Sequence, residues 1–415
     1  MDINLIRLSS TQGENKKRVK KENDYFLENI NLILSDNEYT LKENAENSPV
    51  TFIFIETGGT ENEFKKKIFK KLPKPYYLIS NGKNNSLAAA LEIRTFCDNN
   101  DSIANIITGS EEQIAFFLEH FIHTHIVFNE LAENRLGVIG EPSDWLIASK
   151  VDPKEVYDRY HFHIVSIPME ELYKEIDKNE VVKTPRLPEL KEKWKNEDVL
   201  NRALNIYGAI KRLVKKYKLN GLTIRCFDIV KKYKNTACLA LALLNDEGIT
   251  AGCEGDVPSL ITMHILSHLG NVPCFMANPS TIDYKDQSIV FSHCTIPFKM
   301  TNEYSLDTHF ESGLGIGIKG EMRPGPITIA KICPDLTSLF IDQGEITENL
   351  SLNNYCRTQI KVSLDNGFKD LLEVSFGNHL IISYGTYAMQ FLTYMELALQ
   401  IYQDGVLKKI KKRKY

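Results

Sequence analysis

Short apolar runs alternate with amphipathic stretches over the first third of the chain. Ile3 to Leu8, Thr51 to Glu56, Tyr76 to Ser80, Ile103 to Thr108 and Leu136 to Gly140 are brief, rich in β-branched and aromatic residues and bounded by polar segments, which predicts buried strands. Between them Glu14 to Leu34, Glu61 to Lys71, Ser86 to Cys97 and Glu111 to Leu131 carry apolar residues at helical spacing. Alternation of this kind predicts an α/β fold: a Rossmann-like lobe with a parallel sheet and helices on both faces. Ligands of such sheets bind beyond the strand C-termini. Three polar loops fall there, at Thr57-Gly58-Gly59-Thr60-Glu61, Asn84-Asn85-Ser86 and Gly140-Glu141-Pro142-Ser143-Asp144.

The pattern resumes after residue 150. His161 to Ile167 is a predicted strand and Met169 to Lys178 a helix, and Lys183 to Lys195, with Pro185 and Pro188, is a predicted linker. A long helix from Glu197 to Lys218 ends at Asn220-Gly221. Then come strand Leu222 to Phe227, helix Thr236 to Leu244, strand Ile249 to Cys253, helix Pro258 to Leu269, and strands at Val272 to Met276 and Ser288 to Phe291. Beyond Gly313 the character turns to β, with strands at Pro326 to Ile332, Ser338 to Asp342, Gly344 to Leu350, Thr358 to Val362 and Leu371 to Ser375, before a closing helix from Tyr387 to Ile401. The expected division is a Rossmann-like N-terminal lobe (1–150), a second α/β lobe (151–312) and a β-rich, barrel-like C-terminal domain (313–415).

Composition narrows the class. With 43% hydrophobic and 25% charged residues the chain is neither disordered nor a disulfide scaffold. A net charge of −4 gives no general attraction to nucleic acid or anionic membranes. The one basic concentration, Lys408 to Lys414, reads as a solvated terminus. No apolar run reaches the ~20 residues of a membrane span, and Met1 to Arg7 lacks the features of a signal peptide. The eight cysteines are scattered without a CxxC pair, as expected of free thiols in a reducing cytoplasm.

The densest polar cluster in apolar surroundings is Cys253-Glu254-Gly255-Asp256, at the end of a predicted buried strand. Two carboxylates one glycine apart, desolvated there, need a cation, a proton or hydrogen-bond donors; Asp256 is equally placed to cap the helix that begins at Pro258. Cys226-Phe227-Asp228 is a second strand end carrying an acid. Gly377-Asn378-His379 supplies a histidine after a turn, and metal sites are commonly assembled from carboxylates and a distant histidine. His293 and His309 lie at further strand or loop ends. His264 and His268, four apart in an apolar helix with no following glutamate, fit a core role and not an HExxH zinc site. Gly315-Ile316-Gly317-Ile318-Lys319-Gly320 matches GxGxxG by letter but opens no helix, Thr57 to Thr60 lacks a phosphate-loop lysine, and Ser383 sits outside a nucleophile elbow.

Taken in order, these segments resemble a known family. Asn235 to Met263, with Leu244-Asn245-Asp246-Glu247-Gly248-Ile249 and Ala251-Gly252-Cys253-Glu254-Gly255-Asp256, is similar to the C-terminal catalytic region of the L-fucose/L-arabinose isomerase superfamily. So are Ser292-His293-Cys294, Thr308-His309-Phe310-Glu311-Ser312-Gly313 and Gly377-Asn378-His379, and the upstream segments Gly58 to Glu61, Asn85 to Glu92 and Gly140 to Leu146 match the N-terminal parts of its shorter members. The resemblance implies an aldose–ketose isomerase that works through an enediolate with a divalent cation, usually Mn2+, and forms a trimer or hexamer with the active site between subunits. Carried over by position, it implies Asp228, Asp256 and His379 as metal ligands, with both acids catalytic, and Glu254, His293, His309 and Trp145 as substrate contacts; Lys319 and Arg323 are further candidates for the pocket lining. Two departures stand out: the family's first acid is usually glutamate where this chain has Asp228, and a frequent His-His pair is Asn378-His379 here. A sugar sensor without turnover and a sugar epimerase are the alternative readings, and phosphorylated or sulfonated sugars stay among the candidate substrates.

Overall fold

Period-two alternation inside the apolar runs decides how the first sheet is covered. The computed structural model describes residues 1–10, 14–374 and 376–400, which fall into two compact units: residues 1–130 with the end of the last helix, and residues 131–391. The first unit runs β1 (Asp2–Leu8), α1 (Glu14–Leu34), β2 (Thr40–Glu43), β3 (Thr51–Ile55), α2 (Glu61–Lys67), β4 (Tyr76–Ser80), α3 (Ser86–Asn99), β5 (Ala104–Thr108) and α4 (Glu111–Leu131). Its strands lie in the order β2-β1-β3-β4-β5, all parallel. Phe52, Phe54, Tyr77 and Ile79 point to one face, among Phe26 and Ile30 of α1 and Leu118 and Ile122 of α4. Ile53, Ile55 and Leu78 point to the other, among Phe64 of α2 and Ala89 and Ile93 of α3. Two of the expected polar loops line a cleft of ≈ 510 Å³ beyond the strand ends, through Thr57, Gly58, Gly59, Asn84 and Asn85. β2 escapes the sequence pattern because Thr-Leu-Lys-Glu at the sheet edge buries only Leu41.

The second unit begins with a second parallel sheet. Its elements are β6 (Arg135–Ile139), α5 (Pro153–Tyr160), β7 (His163–Ile167), α6 (Met169–Ile176), α7 (Leu187–Lys193), α8 (Glu197–Tyr217), β8 (Gly221–Ile224), α9 (Cys226–Tyr233), α10 (Cys238–Asp246), β9 (Thr250–Cys253) and α11 (Val257–Gly270). The strand order is β7-β6-β8-β9. There follow β10 (Phe275–Asp283), β11 (Ser288–His293), β12 (Thr301–Asp307), β13 (Gly317–Met322), β14 (Gly325–Ile332), β15 (Leu339–Asn349), β16 (Thr358–Leu364), α12 (Lys369–Glu373), β17 (Leu380–Tyr384) and α13 (Ala388–Gln400). Six strands close an antiparallel barrel in the order β10-β11-β16-β15-β14-β17, with β17 pairing back onto β10, while β12 and β13 form a separate hairpin. Closure leaves the barrel no open sheet edge.

The α/β class therefore holds, and the β-rich, barrel-like part is a closed barrel. Several expected boundaries differ. Leu136 to Gly140, assigned to the N-terminal lobe from its sequence, forms β6 and pairs with β7 and β8. The barrel draws β10 and β11 from before residue 313. Two predicted strands around residue 343 are one, β15, in which a β-carbon at Gly344 would sit 2.2 Å from the Ser363 carbonyl oxygen; this glycine lets β16 approach and does not mark a turn. Leu371 to Ser375 is helical through Glu373, since Lys-Asp-Leu-Leu-Glu has no β-branched alternation; Ser375 lies outside the described residues, as does the basic stretch Lys408 to Lys414. The predicted linker holds α7. All eight cysteines are free thiols, and no helix among the described residues is long and apolar enough to cross a membrane.

His264 of α11 is fully buried. Its Nε2 accepts from the Asn134 side-chain amide at 3.0 Å, so Nδ1–H donates to Thr250 Oγ1 at 2.9 Å. Burial, with His268 nearby, holds its pKa well below the ordinary value. The unfolded chain takes up this proton near pH 6.5 and the folded chain does not, so stability falls as pH drops below that value. In urea titrations at pH 7.5 and 5.5 the wild-type midpoint falls on acidification, and the fall is smaller in His264→Gln.

Candidate metal centre

Three separate chain turns deliver the polar groups of the second unit to one place. β9 ends at Cys253, and Glu254 and Gly255 then adopt left-handed backbone angles, φ 64° and 73°. A β-carbon at Gly255 would lie 2.5 Å from the Glu141 carbonyl oxygen, so glycine is required where the 140–146 loop crosses this turn. The turn leads into α11, whose N-cap is Asp256, its carboxylate accepting from the Ser259 amide at 3.0 Å. The capping role weighed from sequence is thus present, and the same carboxylate does more. His293 closes β11, and His379, also left-handed at φ 59°, stands immediately before β17.

Glu254, His293 and His379 each offer one ligand atom, and these atoms lie within 4.8 Å of one another. Nδ1 of His293 and Nε2 of His379 are buried and make no hydrogen bond. Buried ring nitrogens are normally partnered, so two histidines that each keep an orphaned nitrogen and cluster with a carboxylate fit a cation site. One carboxylate and two imidazoles suit a divalent transition metal and leave coordination positions open. Glu254 Oε1 is 3.6 Å from His379 Nε2, while Oε2 accepts from the Trp145 indole at 2.7 Å.

Behind His379 lies a second layer. Asp256, with no exposed surface, accepts from His379 Nδ1 at 2.9 Å and from Lys331 Nζ of β14 at 2.9 and 3.1 Å; Lys331 also bonds Ser259 Oγ. Burial alone would raise the Asp256 pKa, but the Lys331 charge and the His379 bond hold it far below the usual carboxylate range. Burial also works against ionisation of Glu254, yet the adjacent His379 and His293 imidazoles and the Trp145 indole bring it down to about 2. His379 is pushed down by burial and, more strongly, up by Asp256 and Glu254. Burial lowers His293 to about 3, leaving it neutral with a lone pair to donate.

The candidates named from sequence are thus redistributed. Glu254 and His293, expected as substrate contacts, are grouped with His379 where their side chains could hold a cation. Asp256 supports His379, because both its oxygens are engaged by Lys331, His379 and the Ser259 amide. Asp228 is not in the cluster: β8 ends early at Ile224, and Asp228 sits in the first turn of α9, 3.0 Å from Arg225 Nε. Trp145 keeps its place at the site, 51% exposed, with Phe227 edge-on at 4.7 Å. His309 bonds Ser312 Oγ at 3.1 Å and stacks edge-on to Phe227 at 5.5 Å. Lys319 is engaged with Ser351, and Arg323 lies over the Tyr384 ring. Lys331 was not singled out from sequence; its signal was a single lysine in the apolar run Ile327 to Cys333.

No family model matches the chain. Over 133 residues it is 31% identical to the sulfoquinovose isomerase of Clostridium sp. (strain MSTE9), a stretch covering 32% of this chain and 28% of that protein. About a third of the chain is therefore similar to part of a sugar isomerase.

Proposed function

We propose that the protein is an aldose–ketose isomerase, related to the L-fucose/L-arabinose isomerase superfamily, with Mn2+ as the divalent cation held by Glu254, His293 and His379. The observation that carries this reading is the cluster of Glu254 with two buried histidines, each of which keeps a ring nitrogen without a hydrogen-bond partner. The similarity to a sulfoquinovose isomerase supports a sugar substrate and makes that sulfonated sugar the first to test. A homo-oligomer, trimer or hexamer, in a reducing cytoplasm belongs to the same proposal.

A bound cation supplies Lewis acidity toward a substrate carbonyl and its neighbouring hydroxyl. The chain's own groups prepare the site. Asp256 holds the proton of His379 at Nδ1, which leaves Nε2 to face Glu254 and His293. Lys331 keeps Asp256 ionised, and the Trp145 N–H fixes Glu254 through Oε2. The exposed part of the Trp145 ring offers an apolar face to a sugar's C–H groups. Asp256, with both oxygens engaged, is too enclosed to serve as the base expected from sequence; His309, which shares the Phe227 ring with Trp145, would instead carry the proton that moves between C2 and C1. Burial lowers the His309 pKa against the pull of Glu254, so its imidazole is neutral and basic at pH 7.

Isothermal titration with Mn2+ gives one site per chain, abolished in Glu254→Gln and His293→Ala. Asp256→Asn keeps a capping side chain but weakens binding by about 10–100-fold. It also strands the buried Lys331 ammonium and destabilises the fold by about 3–5 kcal/mol, a loss relieved in the Asp256→Asn/Lys331→Met double variant. Incubated with sulfoquinovose or unmodified aldoses in D2O, the Mn2+-loaded protein incorporates deuterium at C2 and forms the ketose. Exchange without ketose would mark an epimerase, and sugar binding with neither metal nor exchange a sensor.

A further inference from the structure

The acid at position 228 has no ligand atom in the cluster, yet it is not idle. Arg225, the residue between β8 and α9, spreads its guanidinium over three acceptors: Nε to Asp228 Oδ2 at 3.0 Å, Nη1 to the Pro142 carbonyl at 2.7 Å and Nη2 to Asp144 Oδ2 at 2.8 Å. Pro142 and Asp144 belong to the loop that presents Trp145. That loop is also joined to the Glu254 turn by the Ser143 amide, which donates to the Glu254 carbonyl at 2.8 Å, and by the Trp145 indole on Glu254 Oε2. Trp145 and the α9 residue Phe227 meet edge-on beside it. We propose that Arg225, oriented by Asp228, is a positioning residue: it fastens the 140–145 loop to α9 so that the Trp145 indole stays on the Glu254 carboxylate.

The fixed fork of a guanidinium is suited to this task, because its donors lie in one plane and cannot turn independently. The three contacts are unequal. The Asp144 side chain is 81% exposed, so its ion pair is screened by water and contributes little. The Pro142 carbonyl and Asp228, with Arg225 itself mostly buried, define the geometry. An aspartate at position 228 reaches Arg225 from the first turn of its own helix, which accounts for an acid there without a metal.

This inference rests on the proposed site, but its test does not need metal or substrate. The chain has two tryptophans, Trp145 and Trp194, so a Trp194→Phe background leaves Trp145 as the sole reporter. In metal-free protein, Arg225→Ala raises the acrylamide quenching constant of Trp145 by about twofold as the loop is released and moves its emission to longer wavelength. Asp228→Asn, which alters no backbone contact of the loop, gives a smaller change in the same direction, Arg225→Lys an intermediate one, and Asp144→Ala little. With substrate and Mn2+, Arg225→Ala lowers kcat by about 10–100-fold with little change in KM. Trp145 quenching and emission unchanged in both Arg225→Ala and Asp228→Asn would overturn the proposal. Should Arg225→Ala not fold, Asp228→Asn decides alone. Wild-type protein that binds no Mn2+ would end the isomerase reading and leave the quenching result standing.

Discussion

A carboxylate, an ammonium group and an imidazole share a space that water does not reach. Asp256, Lys331 and His379 have relative exposures of 0%, 1% and 0%, and a lone charge so placed would be expelled or neutralised. Each exists there because the others do: Lys331 compensates Asp256, and Asp256 fixes the protonated nitrogen of His379. The three come from the N-cap of α11, the barrel strand β14 and the residue before β17, so their mutual requirement also holds α11 against the barrel. A hydrophobic replacement of the pair could be as stable. What it could not do is aim a ring nitrogen at Glu254.

The second constraint is backbone conformation. Glu254 and His379 are both left-handed, a region costly for residues with a β-carbon. Glu254 is held there by the Ser143 amide on its carbonyl and by the indole on its side chain, and Gly255 beside it lets the 140–146 loop pass at contact distance. Strain is thus concentrated at two of the three positions that offer ligand atoms, while β9, β11 and α11 around them are regular. The loop, the turn and the barrel mouth form one connected set of hydrogen bonds, and Arg225 extends it to α9.

Much of this was legible in the residues. The alternating runs of the first unit and the acids Glu254 and Asp256 in apolar surroundings at the end of β9 can be read from pattern alone, and His293 and His379 stand out as histidines at strand or turn ends. Their division of labour was not legible. Whether Glu254 or Asp256 faces a cation depends on the left-handed turn at 254–255 and on Lys331, which arrives from a strand 75 residues later in the chain. The family resemblance implies Asp228 as a ligand, and the strand predicted through Phe227 puts it at a strand end; the structure begins α9 at Cys226 and turns the acid toward Arg225. The barrel's full membership was hidden for a similar reason, since β10 and β11 look like more of the preceding α/β pattern until β16 and β17 pair with them.

The most direct test of the proposed metal centre is anomalous diffraction from crystals of the full chain soaked in MnCl2. One strong peak bonded to Glu254, His293 and His379, with Asp256 still between His379 and Lys331, is the expected result. A peak instead on Asp228, or no peak among the three residues at saturating Mn2+, would contradict it.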